Sequence, residues 1–152
     1  MGKDVMVMDR PSGASAINVG KVIAGGLLCG LLINISETIL NLAVVSADMT
    51  AALKARNLPD IGNSAIIGFV VFAFLLGIGI VWLYAAIRPR FGPGVKTAII
   101  AAVTVWLFAY AYPSFGMVFM GFFTTGLTMF TLAWGLAEVI VGAIAGAWLY
   151  TE

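Results

Sequence analysis

The sequence predicts an all-α integral membrane protein, a bundle of four membrane-spanning helices with both termini in the cytoplasm. Three observations predict the membrane bundle. The 152 residues are 62% hydrophobic and only 10% charged, whereas soluble domains carry about 25% charged residues. Charged residues are missing from long intervals of the chain, and the hydrophilic stretches between them are too short to bury a core of their own. We therefore expect one membrane domain over residues 1–152, with the lipid bilayer as its solvent.

The first two spans follow from where charge is missing. Glu37 is the only charged residue in 22–47, and 61–87 contains none. Each interval is long enough for one spanning helix, which needs about 20 residues. We expect these helices at about 17–46 and 62–87.

The last two spans share one charge-free interval, 97–137, which is about twice as long as a single span. A proline-containing segment, 112–116, is expected to break it near the middle. The resulting spans are about 95–112 and 118–150. The fourth exceeds what a bilayer needs, so it tilts, projects beyond the membrane or begins with a turn near Gly121.

Two linkers connect these spans in different ways. Residues 49–58 contain enough helix formers for a short surface helix, ended by Pro59. Residues 88–94 are rich in Pro and Gly and are expected to form a tight, stiff turn.

The positive charges set the predicted orientation. In a four-span chain, six of the eight Lys and Arg residues fall on the side that holds both termini and the 88–96 turn. They are Lys3, Arg10, Lys21, Arg88, Arg90 and Lys96, and the other side holds Lys54 and Arg56. Because cytoplasmic segments are enriched in Lys and Arg, both termini are expected in the cytoplasm. Aromatic residues are expected at the two interfaces, with Trp148 and Tyr150 inside and Tyr110 outside.

Two predicted spans carry a stripe of polar and small residues along one face. The first stripe is Gly26, Gly30, Asn34, Glu37 and Asn41, with Ser36 beside it, and the second is Thr131, Gly135, Glu138, Gly142 and Gly146. Steps of three or four residues keep such positions on one side of a helix. In antiparallel spans Glu138 lies at about the depth of Asn34 and Glu37. Small residues allow close approach, so spans one and four are expected to pack together.

Two acids inside the membrane need partners. A bare carboxylate in hydrocarbon costs about 2.5 to 3.5 kcal/mol on insertion scales, and no Lys or Arg lies at this depth. We expect at least one acid to be protonated and hydrogen-bonded to the other acid or to Asn34, Ser36 or Asn41. Three interpretations stay open: a clip between helices, a proton or cation route, and contact with a partner subunit or lipid.

The residue inventory excludes several chemistries. The chain has no His, which removes His-ligated haem, most zinc and copper sites and every His-based triad. We predict no catalytic residue, no metal and no cofactor, and the net charge of +1 gives no field for nucleic acid. A pigment or quinone pocket lined by aromatic residues is the less common alternative to core or lipid-facing positions. Its lining would be Trp106, Phe108, Tyr110, Phe130 and Trp134.

Three cations flank the stiff turn on the predicted inner face. Arg88, Arg90 and Lys96 lie within reach of phosphate headgroups there. They are either ordinary positive-inside anchors or a contact for an anionic lipid or an acidic partner.

The segment 82–98, which reads WLYAAIRPRFGPGVKTA, and the closing segment 138–150 resemble small bacterial four-span membrane proteins of uncharacterised function. The resemblance implies a multi-pass protein of the bacterial inner membrane and no known activity.

Nothing in the sequence pairs a nucleophile with a base, so we predict no enzyme. The leading expectation is a structural or accessory subunit that packs against itself as a homo-oligomer or against a larger complex. The alternative is an oligomeric channel or a proton- or cation-coupled transporter that uses Glu37 and Glu138.

Overall fold

A computed structural model describes residues 16–150 of the chain, and those residues form helices and short turns without a strand. The helices are α1 (Val19–Ile39), α2 (Ser46–Lys54), α3 (Asn63–Phe91), α4 (Val95–Trp106), α5 (Tyr112–Phe119) and α6 (Thr125–Leu149). Two π-helical turns, π1 (Leu40–Val44) and π2 (Leu107–Ala111), extend α1 and join α4 to α5. Four helical segments in this part of the chain are long and apolar enough to cross a membrane: Val19–Val44, Asn63–Phe91, Val95–Phe119 and Thr125–Leu149. The predicted all-α membrane class is confirmed.

The four spans close into a ring in chain order. The first span packs against α3 and α6, and α4 packs against the same two helices. Both ends of the described chain meet at one end of the bundle, where the backbone N–H of Asn18 donates to the Tyr150 hydroxyl at 3.2 Å. We call this the termini end and the opposite one the α2 end. The predicted cytoplasmic location of the termini stays a prediction, and Lys3 and Arg10 lie outside the described residues.

Large apolar side chains cover the outside of the bundle. Phe69, Phe72 and Phe108 are each more than 60% exposed. Such a surface is stable in hydrocarbon, where backbone polar groups are satisfied inside each helix and apolar side chains face lipid. The exposed aromatic residues therefore agree with the membrane class.

Side chains and glycines mark the helix ends. Asn18 caps α1 by accepting a hydrogen bond from the backbone N–H of Lys21, and Thr124 caps α6 in the same way. At its C-terminal end α3 stops at Gly92, whose φ of +83° suits a residue without Cβ. The turn predicted at 88–94 is therefore shorter than expected, because Pro89 is still inside the helix.

The predicted break at 112–116 is wrong. Helical structure continues from Val95 to Phe119, and Pro113 lies in the first turn of α5. The backbone N–H of Tyr112 donates to Leu107 O across π2. A wide turn placed just before a proline makes room for its ring and for its missing N–H, so the span is kept.

The third span ends instead at Gly121. Its φ is +72°, and the backbone N–H of Phe122 donates back to Met117 O at 2.9 Å. A glycine in the left-handed region with this bond is a common helix terminus. The short surface helix predicted at 49–58 is present as α2, beginning and ending earlier.

Candidate functional site

The site is centred on Glu138, near the middle of α6. Its side chain is only 7% exposed, and its Oε1 accepts a hydrogen bond from the Tyr110 hydroxyl at 3.0 Å. Ser36 and Glu37, from the first span, lie beside this carboxyl group and interact with it. The other oxygen, Oε2, is buried and makes no hydrogen bond of standard geometry in the described part of the chain. Buried polar atoms nearly always have a partner, and Ser36 and Glu37 are close enough to supply one.

Glu37 is held by Asn41, one turn further along the same span. The Asn41 amide donates to Glu37 Oε2 at 2.8 Å and to the Glu37 backbone oxygen at 2.9 Å. A side-chain bond to the carbonyl four residues back disturbs the helical ladder, and π1 begins at the residue before Asn41. Asn41, which lies in the wider π1 turn, therefore also orients the Glu37 carboxylate.

Two indole rings fix the helices around the acids. Trp134 Nε1 donates to the Ser36 hydroxyl at 2.8 Å, which joins α6 to α1. Trp106 Nε1 donates to Leu132 O at 3.0 Å, which joins α4 to α6. A tryptophan N–H inside a membrane needs such a partner, and here both bonds cross between helices.

A cavity of about 170 Å³ lies beside the acids, on the side toward the α2 end. Its polar lining is Glu37, Asn41, Tyr110, Ser114 and Thr131, and its apolar lining includes Val45 and Met49. A water molecule occupies about 30 Å³ in the liquid, so the cavity has room for several waters or a small hydrated cation. The polar lining includes one of the two acids.

The termini half of the bundle is closed by glycine contacts. A Cβ atom at Gly25 would collide with the backbone of Gly146, and one at Gly77 would collide with the backbones of Gly26 and Gly30. Such close approach leaves no space for water between the first span, α3 and α6. The acidic site is therefore next to open space on one side only.

The structure divides the predicted glycine face between two helices. Spans one and four do pack together, but α1 uses Gly25 and Cys29 there, against Gly146 and Gly142. The expectation that Gly26 and Gly30 face α6 is wrong, because both lie against α3, at Ile78 and Phe74. A stripe of small residues predicts which face of a helix is buried, but it does not predict which of two neighbouring helices packs against that face.

Two other predicted residues have different partners from those expected. The Asn34 amide donates to Gly30 O at 2.9 Å and to Val70 O at 3.3 Å, so it faces α3 and not Glu138. Gly135 has the Tyr110 ring, and not another helix backbone, as its nearest neighbour across the bundle. It makes room for the Tyr110 ring, because a Cβ there would lie 2.8 Å from Cδ1 of that ring.

The predicted cation group lies at the termini end and is not uniform. The Arg88 guanidinium lies over the Tyr150 ring, 5.7 Å from its centroid, and is partly buried. Arg90 and Lys96 are exposed at the turn. The two exposed cations are therefore the ones in position to meet lipid headgroups.

Tyr110 is the residue of the site that sequence reasoning misplaced. With a break expected at 112–116, Tyr110 falls at the outer interface. In the structure the span runs on to Phe119, which lowers Tyr110 to the depth of Glu138. The signal that could have found it is Gly121, a better terminus for this span than Pro113.

The site brings together two carboxyl groups and a tyrosine hydroxyl beside a polar cavity. Among residues 16–150 no group of three or more Cys, Asp or Glu side chains comes together to hold a metal ion. No family model, curated protein or solved structure shows significant similarity to this chain. The resemblance to small bacterial four-span proteins therefore stays a prediction.

Proposed function

We propose that this chain is a small non-enzymatic membrane protein that exchanges a proton or a small cation at Glu37 and Glu138, as a proton- or cation-coupled transport protein. The observation that supports it is the buried carboxyl group of Glu138, which lies next to a second acid, Glu37, and beside a polar cavity. Intramembrane acids of this kind commonly mark proton or ion routes.

The closed termini half favours a carrier over a permanent pore. An ion that arrives from the α2 end reaches Glu37 and then meets the glycine contacts of the termini half. Passage therefore requires those contacts to open, or a route formed between several copies of the chain. The π turns, one on each side of the cavity, are the places where we expect such a change, because single π turns inside α-helices are frequent at functional sites.

The test uses purified protein in liposomes that contain a pH- or cation-sensitive dye. We expect the parent protein to carry H⁺, Na⁺ or K⁺ down an imposed gradient, and Glu138→Gln to reduce the rate to that of protein-free liposomes. Gln keeps the size of the side chain and an oxygen for the Tyr110 hydroxyl, so the fold is retained while proton exchange is lost. Asp60→Asn, an exposed acid in the linker at the α2 end, is the matched control and should leave the rate unchanged.

A parent protein that carries none of the three ions would contradict the transport proposal. The second candidate, an accessory subunit, would then explain the one-sided site, which suits binding from the α2 end without passage. For an accessory subunit, we expect native mass spectrometry of protein extracted from its own membrane to show a partner of fixed stoichiometry. A protein found alone would count against this candidate.

The location proposed is the bacterial inner membrane, with both termini in the cytoplasm. The assignment of the membrane rests on the resemblance of segments 82–98 and 138–150, and the orientation is supported by the charge asymmetry of the linkers and by the exposed Arg90 and Lys96. In that orientation the acidic cavity faces the outer leaflet, and the glycine contacts lie on the cytoplasmic side.

A further inference from the structure

A second, larger cavity lies at the α2 end. It measures about 670 Å³ and is bounded by α2, by the end of the first span and by the turn that leads into α6. Sites that bind small molecules commonly measure about 300 to 1,000 Å³. Glu37 and Glu138 do not line it, so the cavity is separate from the acidic site.

One part of this cavity carries both signs of charge. Arg56 is fixed on its wall, since Nη1 donates to Ala52 O at 2.8 Å and Nη2 donates to Gly121 O. Its guanidinium also lies 5.3 Å from the centroid of the Phe122 ring. Asp48, about two helical turns earlier, lines the same cavity. A positive and a negative group are thus held apart on one wall.

The other part of the cavity is apolar and reaches into the membrane. Leu127 and Phe130 lie in the first turns of α6, and Val44 is the last residue of the first span. Val44 and Phe130 are each more than 40% exposed. The cavity therefore changes from charged at the end of the bundle to apolar toward the bilayer centre, in the same order as a lipid molecule.

We infer that this cavity binds one bilayer phospholipid with a zwitterionic headgroup. The phosphate lies at Arg56, the ammonium group at Asp48, and an acyl chain along Val44 and Phe130. Charge complementarity selects this headgroup, because an anionic lipid without an amine leaves its phosphate near an unbalanced carboxylate. Asp48 lies in the short α2 helix and Arg56 just beyond its end, and this position at the ends of the spans puts both charges at the depth of headgroups.

The test is native mass spectrometry of the full chain released from nanodiscs of equal phosphatidylethanolamine and phosphatidylglycerol. We expect one phosphatidylethanolamine per chain, retained about tenfold over phosphatidylglycerol. Ala51→Trp fills the cavity and should remove the bound lipid. Thr50→Trp, at the neighbouring exposed position outside the lining, is the matched control and should keep it.

Two further results decide the headgroup assignment. Asp48→Asn should abolish the preference for phosphatidylethanolamine, because the ammonium loses its carboxylate, while lipid is still retained through Arg56. Equal retention of both lipids by the parent would overturn the assignment of the headgroup. Equal retention by Ala51→Trp and Thr50→Trp would overturn the assignment of the cavity. Neither outcome depends on ion transport, so this inference and the proposed function fail separately.

Discussion

Tyr110 links the two acids to the packing of the bundle. Its hydroxyl donates to Glu138 Oε1, and its ring lies against α6 at Gly135, where no Cβ is present. The residue also lines the small cavity beside Glu37. One side chain therefore both orients the buried carboxyl group and forms part of the wall of the space next to it.

Tyr110→Phe removes this hydroxyl and leaves the ring in place. We expect a loss of about 1 kcal/mol in the free energy of unfolding, the usual size for a hydrogen bond between membrane helices. The measurement is unfolding in mixed micelles at increasing denaturing detergent. Tyr112→Phe is the control, because Tyr112 is 79% exposed and should change stability little. Equal effects of the two substitutions would show that the Tyr110 bond contributes nothing.

The sequence allowed part of this site to be predicted. The proximity of Glu37 and Glu138 was predictable, because the depth of a residue in a span follows from its distance to the span end. Asn34 could not be placed, since its amide satisfies a carbonyl of α3, and sequence does not show which backbone groups are accessible. Tyr110 was misplaced by an error in a helix end, which shifts every residue of that span in depth.

At the level of helices, backbone contact at glycines holds the first span between its two neighbours. Gly77 of α3 meets Gly26 and Gly30, and Gly146 of α6 meets Gly25. Without a hydrophobic effect between helices in lipid, such packing and dispersion provide much of the attraction. These five glycines of α1 and its neighbours are therefore unavailable as a docking face for another subunit.

Gly77→Ala tests this contact, with Gly79→Ala as its control on the same helix. A Cβ at Gly77 would collide with the backbone of α1, so we expect a loss of about 1 to 3 kcal/mol in unfolding free energy, the usual cost of overpacking. A Cβ at Gly79 meets nothing within 4 Å, and Ala there should be neutral or stabilising by up to about 1 kcal/mol. The measurement is the same detergent unfolding. Similar values for both variants would contradict the close α1–α3 packing.

The existence of the spans was predictable, and their ends were less so. Because hydrocarbon tolerates almost no charge, a charge-free interval of about 20 residues or more strongly predicts a membrane-spanning helix. Pro113 was read as a break because a regular α-helix cannot hold it without loss. The chain instead inserts π2, and a π turn has no clear sequence signature.

The whole molecule is asymmetric along the membrane normal. The termini end is closed, and there both Tyr84 and Arg88 contact the Tyr150 ring. The α2 end holds both cavities, and Val45, only 2% exposed, lines each of them. Binding of lipid in the larger cavity would therefore take place one residue away from the space beside the acids.

This asymmetry makes the orientation in the membrane testable with single cysteines. Thr50→Cys on α2 and Pro93→Cys in the turn after α3 are both exposed, and neither substitution removes a positive charge. We expect an impermeant maleimide to label the Thr50→Cys variant in intact cells and the Pro93→Cys variant only after permeabilisation, because the turn at 93 is predicted to be cytoplasmic. The parent chain is the control, since Cys29 is fully buried and should stay unlabelled. Labelling of both variants from one side would contradict the four-span bundle, whereas the reverse pattern would keep the bundle and overturn only the orientation drawn from charge.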